Sequence, residues 1–425
     1  MSNRLTDEQG RRLVAVTGMG LVTSLGWGKA QSWAALMAGR SGISRITSFP
    51  IDGLRTTIAG TVTHPEGYPG SAPALTMAMA KAVADEALLE AGLTEQRGFP
   101  GLLFLATPPA ELEWPQRKAL YEHQGASGSG YDRLLAAARS GAFKQLFESF
   151  QFASVAEHLA KALRPRGLPV SVSTACASGA TAIQLGVEAI RRGETDTALA
   201  VGTDSSVQLE ALIRFSLLSA LSTRNDPPQK ASRPFSKGRD GFVMAEGAGA
   251  VVLESMESAL ARGARPLGIV RGCGEMADDY HRTRSKPDGS AIIGAIRNAL
   301  LDAGAAPEEI DYVNAHGTST PENDKMEFLS LRAVLGDHLD VVPVSSTKSQ
   351  IGHTLSAAGA IEAVLSLMMI ANGLILPTIN YDEPDPEIPL DVVPNVPRRS
   401  PIRTVLSNSF GFGGQNAALV LSAAD

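Results

Sequence analysis

Cysteine is almost absent from this chain: Cys176 and Cys273 are the two among 425 residues. That is too few for a disulfide framework, so a reducing cytoplasm is the expected setting. Long hydrophobic runs are missing too. The longest, residues 363–376, is broken by Asn372 and Gly373 and followed by Pro377. At about 14 residues it is too short to span a bilayer and reads as a buried helix leading into a strand. Residues 1–12 are polar and charged, without the apolar stretch of a secretory signal. No basic excess exists either: the net charge of −6 argues against a nucleic-acid binder, though it leaves room for a local basic patch.

Several motifs are missing as well. Gly18-Met19-Gly20 follows a first strand at residues 13–17, but no third glycine stands in register and no acid follows at the required distance, so a dinucleotide site is not expected. No Gly-x-Ser-x-Gly elbow supports a serine hydrolase. Cys and His residues lack the close ligand spacing of a zinc site. Asp278-Asp279-Tyr280-His281 is the nearest thing to a metal cluster, and no metal is expected. Low-complexity linkers and short repeats are absent.

What remains is the composition of a compact enzyme, 44% hydrophobic and 19% charged, with 42 glycines for tight turns and close approaches. Apolar patterning predicts helices at 73–92, 177–192, 290–303 and 356–371. Strands are predicted at 102–106, 170–173, 198–202, 249–254, 268–272 and 312–315, with strand, glycine loop and strand from 406 onward. This alternation implies an α/β architecture, with two halves, 1–260 and 261–425, meeting near residue 260. Residues 107–151 mix Pro-Pro, a Gly/Ser stretch and short helical pieces, and read as an insertion or cap.

Four segments carry chemistry. In Ser173-Thr174-Ala175-Cys176-Ala177-Ser178-Gly179-Ala180 a cysteine stands at a strand-to-helix turn among small residues. A free thiol is about 3% ionised at neutral pH. A helix N-terminus worth roughly 1 kcal/mol would bring that to the order of 10%. A buried structural cysteine is the rival reading. His316 follows a strand in Asn314-Ala315-His316-Gly317-Thr318-Ser319-Thr320, and His353 closes Thr347-Lys348-Ser349-Gln350-Ile351-Gly352-His353. Asn408-Ser409-Phe410-Gly411-Phe412-Gly413-Gly414 is a loop able to set backbone N–H groups beside a reacting centre. A lone histidine is usually structural; two in glycine- and hydroxyl-rich turns, beside a cysteine at a helix start, point to catalysis.

Together these segments resemble the elongating β-ketoacyl-acyl-carrier-protein synthases of the thiolase superfamily, synthase II type. The likeness runs from about Leu13 to the C-terminus and includes Ala220-Leu221-Ser222-Thr223-Arg224-Asn225-Asp226, Arg233-Pro234-Phe235 and Asp240-Gly241-Phe242-Val243-Met244. The resemblance implies a five-layered αβαβα fold of two similar halves, a homodimer, and acyl carrier protein as partner. It implies no resident cofactor, since the phosphopantetheine arrives on the carrier. Cys176 matches the acylated nucleophile, and His316 and His353 the decarboxylation pair. Lys348 matches the lysine supporting them through an acid on the segment of Asp324 and Glu327. Thr318 and Thr320 match pantetheine-holding hydroxyls, and Phe412, next to Phe410, the gate whose N–H joins that of Cys176 as oxyanion hole. Pro108, Pro109 and Phe215 fall at the acyl pocket.

Two departures from the family bear on specificity. Thr107-Pro108-Pro109-Ala110 replaces a glycine-rich turn near the closed end of the acyl pocket, and proline removes N–H groups and sets φ. Ser219 stands where some relatives carry an arginine that meets the carrier. Acyl preference and carrier identity are therefore open. A coenzyme A-dependent thiolase would lack this Cys-His-His set, a chain-length partner subunit would lack the cysteine, and a polyketide synthase subunit would share every motif.

Overall fold

Gly18 and Gly20 do not end the first strand; they lie inside it. Strand β1 spans Val14–Thr23, with a register shift between Val16 and Gly18. The reason is contact: a Cβ on either glycine would come within 2.0 Å of a carbonyl of helix α1, Ala72–Ala91, that of Ala87 or of Val83. The glycines seat a helix on a strand and do not form a phosphate loop. This is seen in a computed structural model, which describes residues 5–94, 98–123 and 128–424.

The other principal strands are β2 Leu102–Ala106, β3 Val170–Val172, β4 Thr197–Asp204, β5 Gly247–Ser255, β6 Gly268–Ala277, β7 Tyr312–Asn314, β8 Val344–Ser345, β9 Thr404–Phe410 and β10 Gln415–Ser422. They form two groups of five with the same order and sense, β3-β2-β4-β5-β1 and β8-β7-β9-β10-β6. In each group the first three strands are parallel and the last two pairings antiparallel. The groups join where Ala15 pairs with Ile269 and Val16 with Gly268.

Helix α2, Ser178–Arg191, and helix α6, Ala358–Asn372, pack against strands of both groups. Helix α1 covers the outer face of the first group, and α4, Ser290–Ala303, with α5, Pro321–Leu335, the outer face of the second. The layers run α1, half-sheet, α2 with α6, half-sheet, α4 with α5, which is the thiolase-like αβαβα arrangement. (Helix α3, Leu209–Leu217, lies between α2 and α4 in the chain.) The central pair meets at two glycines. A Cβ on Gly179 would lie 2.5 Å from the Ala360 nitrogen, and one on Gly359 would lie 2.5 Å from the Ala180 nitrogen.

Burial explains the apolar run of the sequence. Residues 351–367 are buried without a break. Among the described residues, Leu355–Asn372 is one helical stretch long and apolar enough to cross a membrane, and 78% of it is buried within the protein, as a core helix would be. The 107–151 segment carries short helices at Trp114–Tyr121, Tyr131–Arg139 and Lys144–Ser149. Its residues 124–127, part of the Gly/Ser stretch, lie outside the described residues, as do residues 1–4. The segment caps one side of the first half: Glu113 accepts the Ala72 N–H at 2.7 Å, and Glu111 pairs with Arg214 of α3.

Candidate active site

Past β3 the chain reverses through Ala175, which takes φ +50. That conformation costs an alanine roughly 1 kcal/mol, and the neighbourhood holds it in place. The Ser178 hydroxyl accepts the Thr174 N–H at 2.8 Å and donates to the Ala175 carbonyl at 2.6 Å. The turn projects Cys176 into the core ahead of α2, where it is 8% exposed.

The corresponding turns of the second half bring in the histidines. Beyond β7, the His316 and Gly317 N–H groups donate to the two oxygens of Glu327, at 2.8 and 2.7 Å, and Asn408 Nδ2 donates to the same carboxylate at 3.1 Å. Gly317 takes φ +39, and a Cβ there would sit 2.5 Å from that of Ser346. His353 is pinned through its backbone: its N–H donates to the Val243 carbonyl at 2.8 Å, and its carbonyl accepts the Ala245 N–H at 2.9 Å. The two imidazoles meet edge to face, centroids 5.2 Å apart at 85°. Phe410 packs on His316 at 5.5 Å and Phe242 on His353 at 5.4 Å. The Nδ1 atom of each ring is buried without a hydrogen-bond partner in the protein.

Phe412 closes the arrangement. Its backbone N–H donates toward the Cys176 sulfur, and its ring lies 6.4 Å from those of Phe215 and Phe242. The following Gly413 and Gly414 take φ +89 and +90, a path reserved for glycine. Thr318 and Thr320 face each other with hydroxyls 3.0 Å apart, and Thr320 also caps α5. All these groups border one cavity of about 500 Å³, lined by Cys176, His316, His353, Phe215, Thr318, Thr320 and Phe412 among others. Ser219, Arg282 and Arg284 stand at the same cavity.

Two expectations require correction. Lys348 does not pair with Asp324 or Glu327: its ammonium is bound by Glu362 of α6. Glu327 instead holds the His316 turn, and Asp324 accepts the Phe235 N–H at 2.8 Å beside Arg239. The thiol pKa, secondly, is raised and not lowered. Burial pushes Cys176 up to about 11, against the opposing pull of the Phe412 N–H and the Lys348 charge. Burial, and then Lys348, hold both imidazoles well below the usual histidine range. Burial raises Glu327 and Glu362 to about 7. At neutral pH the site therefore presents a protonated thiol and two neutral imidazoles.

Pro108 and Pro109 are not brought to Cys176. They line a separate cavity of about 30 Å³. Asp278 is engaged by backbone N–H groups of Tyr280 and Lys286, and His281 by that of Thr283; among the described residues no three His, Cys, Asp or Glu side chains could share a metal. Sequence reading missed Glu362 and Asp204, and gave no role to Phe242, which it met within the block 240–244. Glu362 was detectable as the one charged residue of α6. Asp204, raised to about 6 by burial, ends an otherwise uncharged strand and accepts the Ser206 and Ser356 N–H groups.

Residues 11–259 match the family model for the β-ketoacyl synthase N-terminal domain, and residues 267–382 that for its C-terminal domain. The chain is 38% identical to a 3-oxoacyl-[acyl-carrier-protein] synthase 2 of Coxiella burnetii, over 97% of this chain and 99% of that one. It is 36% identical to the tetracenomycin polyketide synthase ketoacyl synthase alpha subunit of Streptomyces glaucescens, over 96% of each. Among solved structures it resembles a type II polyketide synthase ketosynthase, in complex with its acyl-carrier protein and bound to the hexaketide. That match has a TM-score of 0.86 and 32% identity, covering 97% of this chain and all of the other.

Proposed function

The chain belongs to the β-ketoacyl synthase family, and from that premise we propose that it is a 3-oxoacyl-[acyl-carrier-protein] synthase of fatty acid chain elongation. It joins an acyl group held on Cys176 to malonyl-carrier protein, yielding 3-oxoacyl-carrier protein, CO2 and free carrier. The observation that carries this reading is the pair of neutral imidazoles, 5.2 Å apart and lining one cavity with a cysteine.

Each step uses groups described above. The Cys176 thiol is protonated at rest, so attack on the incoming acyl thioester needs a base, and a neutral imidazole takes that proton and returns it to the leaving pantetheine sulfur. The oxyanion of acyl transfer forms beside the Phe412 and Cys176 N–H groups. Malonyl decarboxylation leaves an enolate whose oxygen receives N–H donors from His316 and His353. Such a donor is typically worth about 3 kcal/mol. The carbanion attacks the acyl carbonyl, and collapse of the adduct expels the Cys176 sulfur. Lys348, held by Glu362, helps burial keep both histidines neutral. Thr318 and Thr320 hold the pantetheine arm, and exposed Arg282 and Arg284 suit its phosphate. The chemistry calls for no resident cofactor, because no electrons leave the substrates.

Acyl carrier protein is the partner this reading requires, and the likeness to a ketosynthase solved with its carrier supports it. A homodimer is supported by edge strand β3, with exposed Leu168 and Val170, and by exposed Trp114, Tyr131 and Phe147 of the neighbouring cap. The cytoplasm is the compartment we assign, since both cysteines are free and buried. Intact-protein mass spectrometry after incubation with acyl-carrier thioesters tests the whole reading. One acyl increment is expected on the protein and none on Cys176→Ala; a protein that never takes up an acyl group would overturn it.

A further inference from the structure

Near the end of β6, in the second half, Glu275 reaches across to the nucleophile turn of the first. Gly272 and Gly274 press on α4, where a Cβ would come 2.4 and 2.2 Å from backbone atoms of Ala299. Side chains alternate along a strand, so Glu275 faces away from α4 and toward α2. Its carboxylate accepts the Thr181 hydroxyl of α2 at 2.5 Å, the length of a charge-assisted O–H···O bond. The Thr181 oxygen in turn lies 3.0 Å from the Thr174 hydroxyl. A hydroxyl has one proton to give, and Thr181 spends it on Glu275, so Thr174 is the donor in the second bond. The chain from Thr174 through Thr181 to Glu275 therefore runs one way and ends on a carboxylate.

The same strand end fastens the Phe412 loop. Gln415 pairs with Ala277, and the Asp278 N–H donates to the Gly414 carbonyl at 2.7 Å. The Gly411 N–H closes the loop on the Gln415 carbonyl at 2.6 Å. That loop abuts the nucleophile turn: a Cβ on Gly411 would lie 2.8 Å from the Thr174 carbonyl oxygen and 3.2 Å from the Cys176 nitrogen. The two donors of the oxyanion hole, the Cys176 and Phe412 N–H groups, thus come from different halves, and the end of β6 is tied to each.

We propose that Glu275, acting through Thr181 and Thr174, is a positioning residue that sets the spacing of the two oxyanion-hole donors for acyl transfer to Cys176. This rests on the condensing-enzyme reading above and adds a residue to its machinery. None of the three side chains borders the Cys176 cavity, so they act on the rate of the step and not on substrate binding. Misplacing a reacting group by about 1 Å can cost on the order of 100-fold in rate.

The test follows two reactions in each variant: acylation of Cys176 by an acyl-pantetheine thioester, read as the mass increment over time, and CO2 release from malonyl-carrier protein. Glu275→Ala and Thr181→Val should slow acylation at saturating thioester by about tenfold or more, with KM little changed. CO2 release, which depends on His316 and His353, should stay at the wild-type rate. Glu275→Gln keeps an acceptor and Thr181→Ser keeps the hydroxyl, so both should recover most of the acylation rate. Unchanged acylation in Glu275→Ala would overturn the proposal. So would CO2 release and unfolding temperature falling in step with acylation, the pattern of a packing defect. A wild-type protein that takes up no acyl group would remove the condensing reading itself, and this inference with it.

Discussion

The ammonium of Lys348 and the carboxylate of Glu362 form an ion pair in which each side chain keeps only 2% of its exposure. A pair this dry stands or falls by which partner is removed. Glu362→Gln strands a buried ammonium, a loss of about 3–5 kcal/mol. Lys348→Met strands a carboxyl already raised to about 7, which can neutralise by taking a proton. Chemical denaturation should therefore show Glu362→Gln as the less stable single variant, with Lys348→Met/Glu362→Gln recovering part of the loss. The reverse order of the two single variants would show that the pair is not limited by charge burial.

Lys348 also lowers the pKa of both histidines. Its removal raises them, so protonation sets in at a higher pH. Decarboxylation of malonyl-carrier protein by Lys348→Met should be slower than wild type and should lose rate in mild acid, where wild type stays flat. Parallel pH profiles would leave the lysine a packing role alone.

Cys176 at about 11 makes a second pH signature. The thiolate is the reactive form, so alkylation by iodoacetamide should climb about tenfold per pH unit from pH 7 to 10. A plateau reached by pH 8 would restore the acidified-thiol reading that the helix start invites.

His316→Ala and His353→Ala each remove one enolate donor. Malonyl decarboxylation, followed as CO2 release, should fall by about 10²–10³ in each. Acylation of Cys176 should persist in at least one of them, since the oxyanion hole is untouched and one imidazole remains to act as the base. Cys176→Ala should show the opposite division, losing condensation while retaining some CO2 release. Normal release by either histidine variant takes that residue out of the mechanism.

Gly179→Ala and Gly359→Ala should each destabilise the protein by about 1–3 kcal/mol, because the added methyl meets backbone across the α2–α6 contact at 2.5 Å. Gly179 lies three residues from Cys176, so its variant should also slow acylation. Thermal unfolding and the mass increment together check this; unchanged stability in both variants would mean the helices part freely.

Much of this site was legible because its determinants are local. A cysteine among small residues, a histidine followed by glycine and a histidine preceded by glycine are all visible along the chain. The structure shows why: Gly317 has φ +39 and Gly352 +81, and both crowd their neighbours. Most element spans were legible for the same reason, since periodicity and turn residues act within a few positions. The first strand was read too short because Gly18 and Gly20 look like a loop until α1 lies across them. The resemblance points Lys348 to the acids Asp324 and Glu327, whereas its partner is Glu362, 14 residues further along in the core helix α6.

The sequence by itself determined where this chain turns, which residue types stand at those turns, and the two-fold α/β plan they belong to. Those properties follow from backbone sterics and from hydrophobic period, both short in range. Only the tertiary structure decided that Glu362 holds Lys348, that the thiol is protonated and the imidazoles neutral, and that Pro108 and Pro109 line a small cavity apart from Cys176. Burial and charge pairing are sums over every segment that converges on a point, and no single stretch of residues contains that sum.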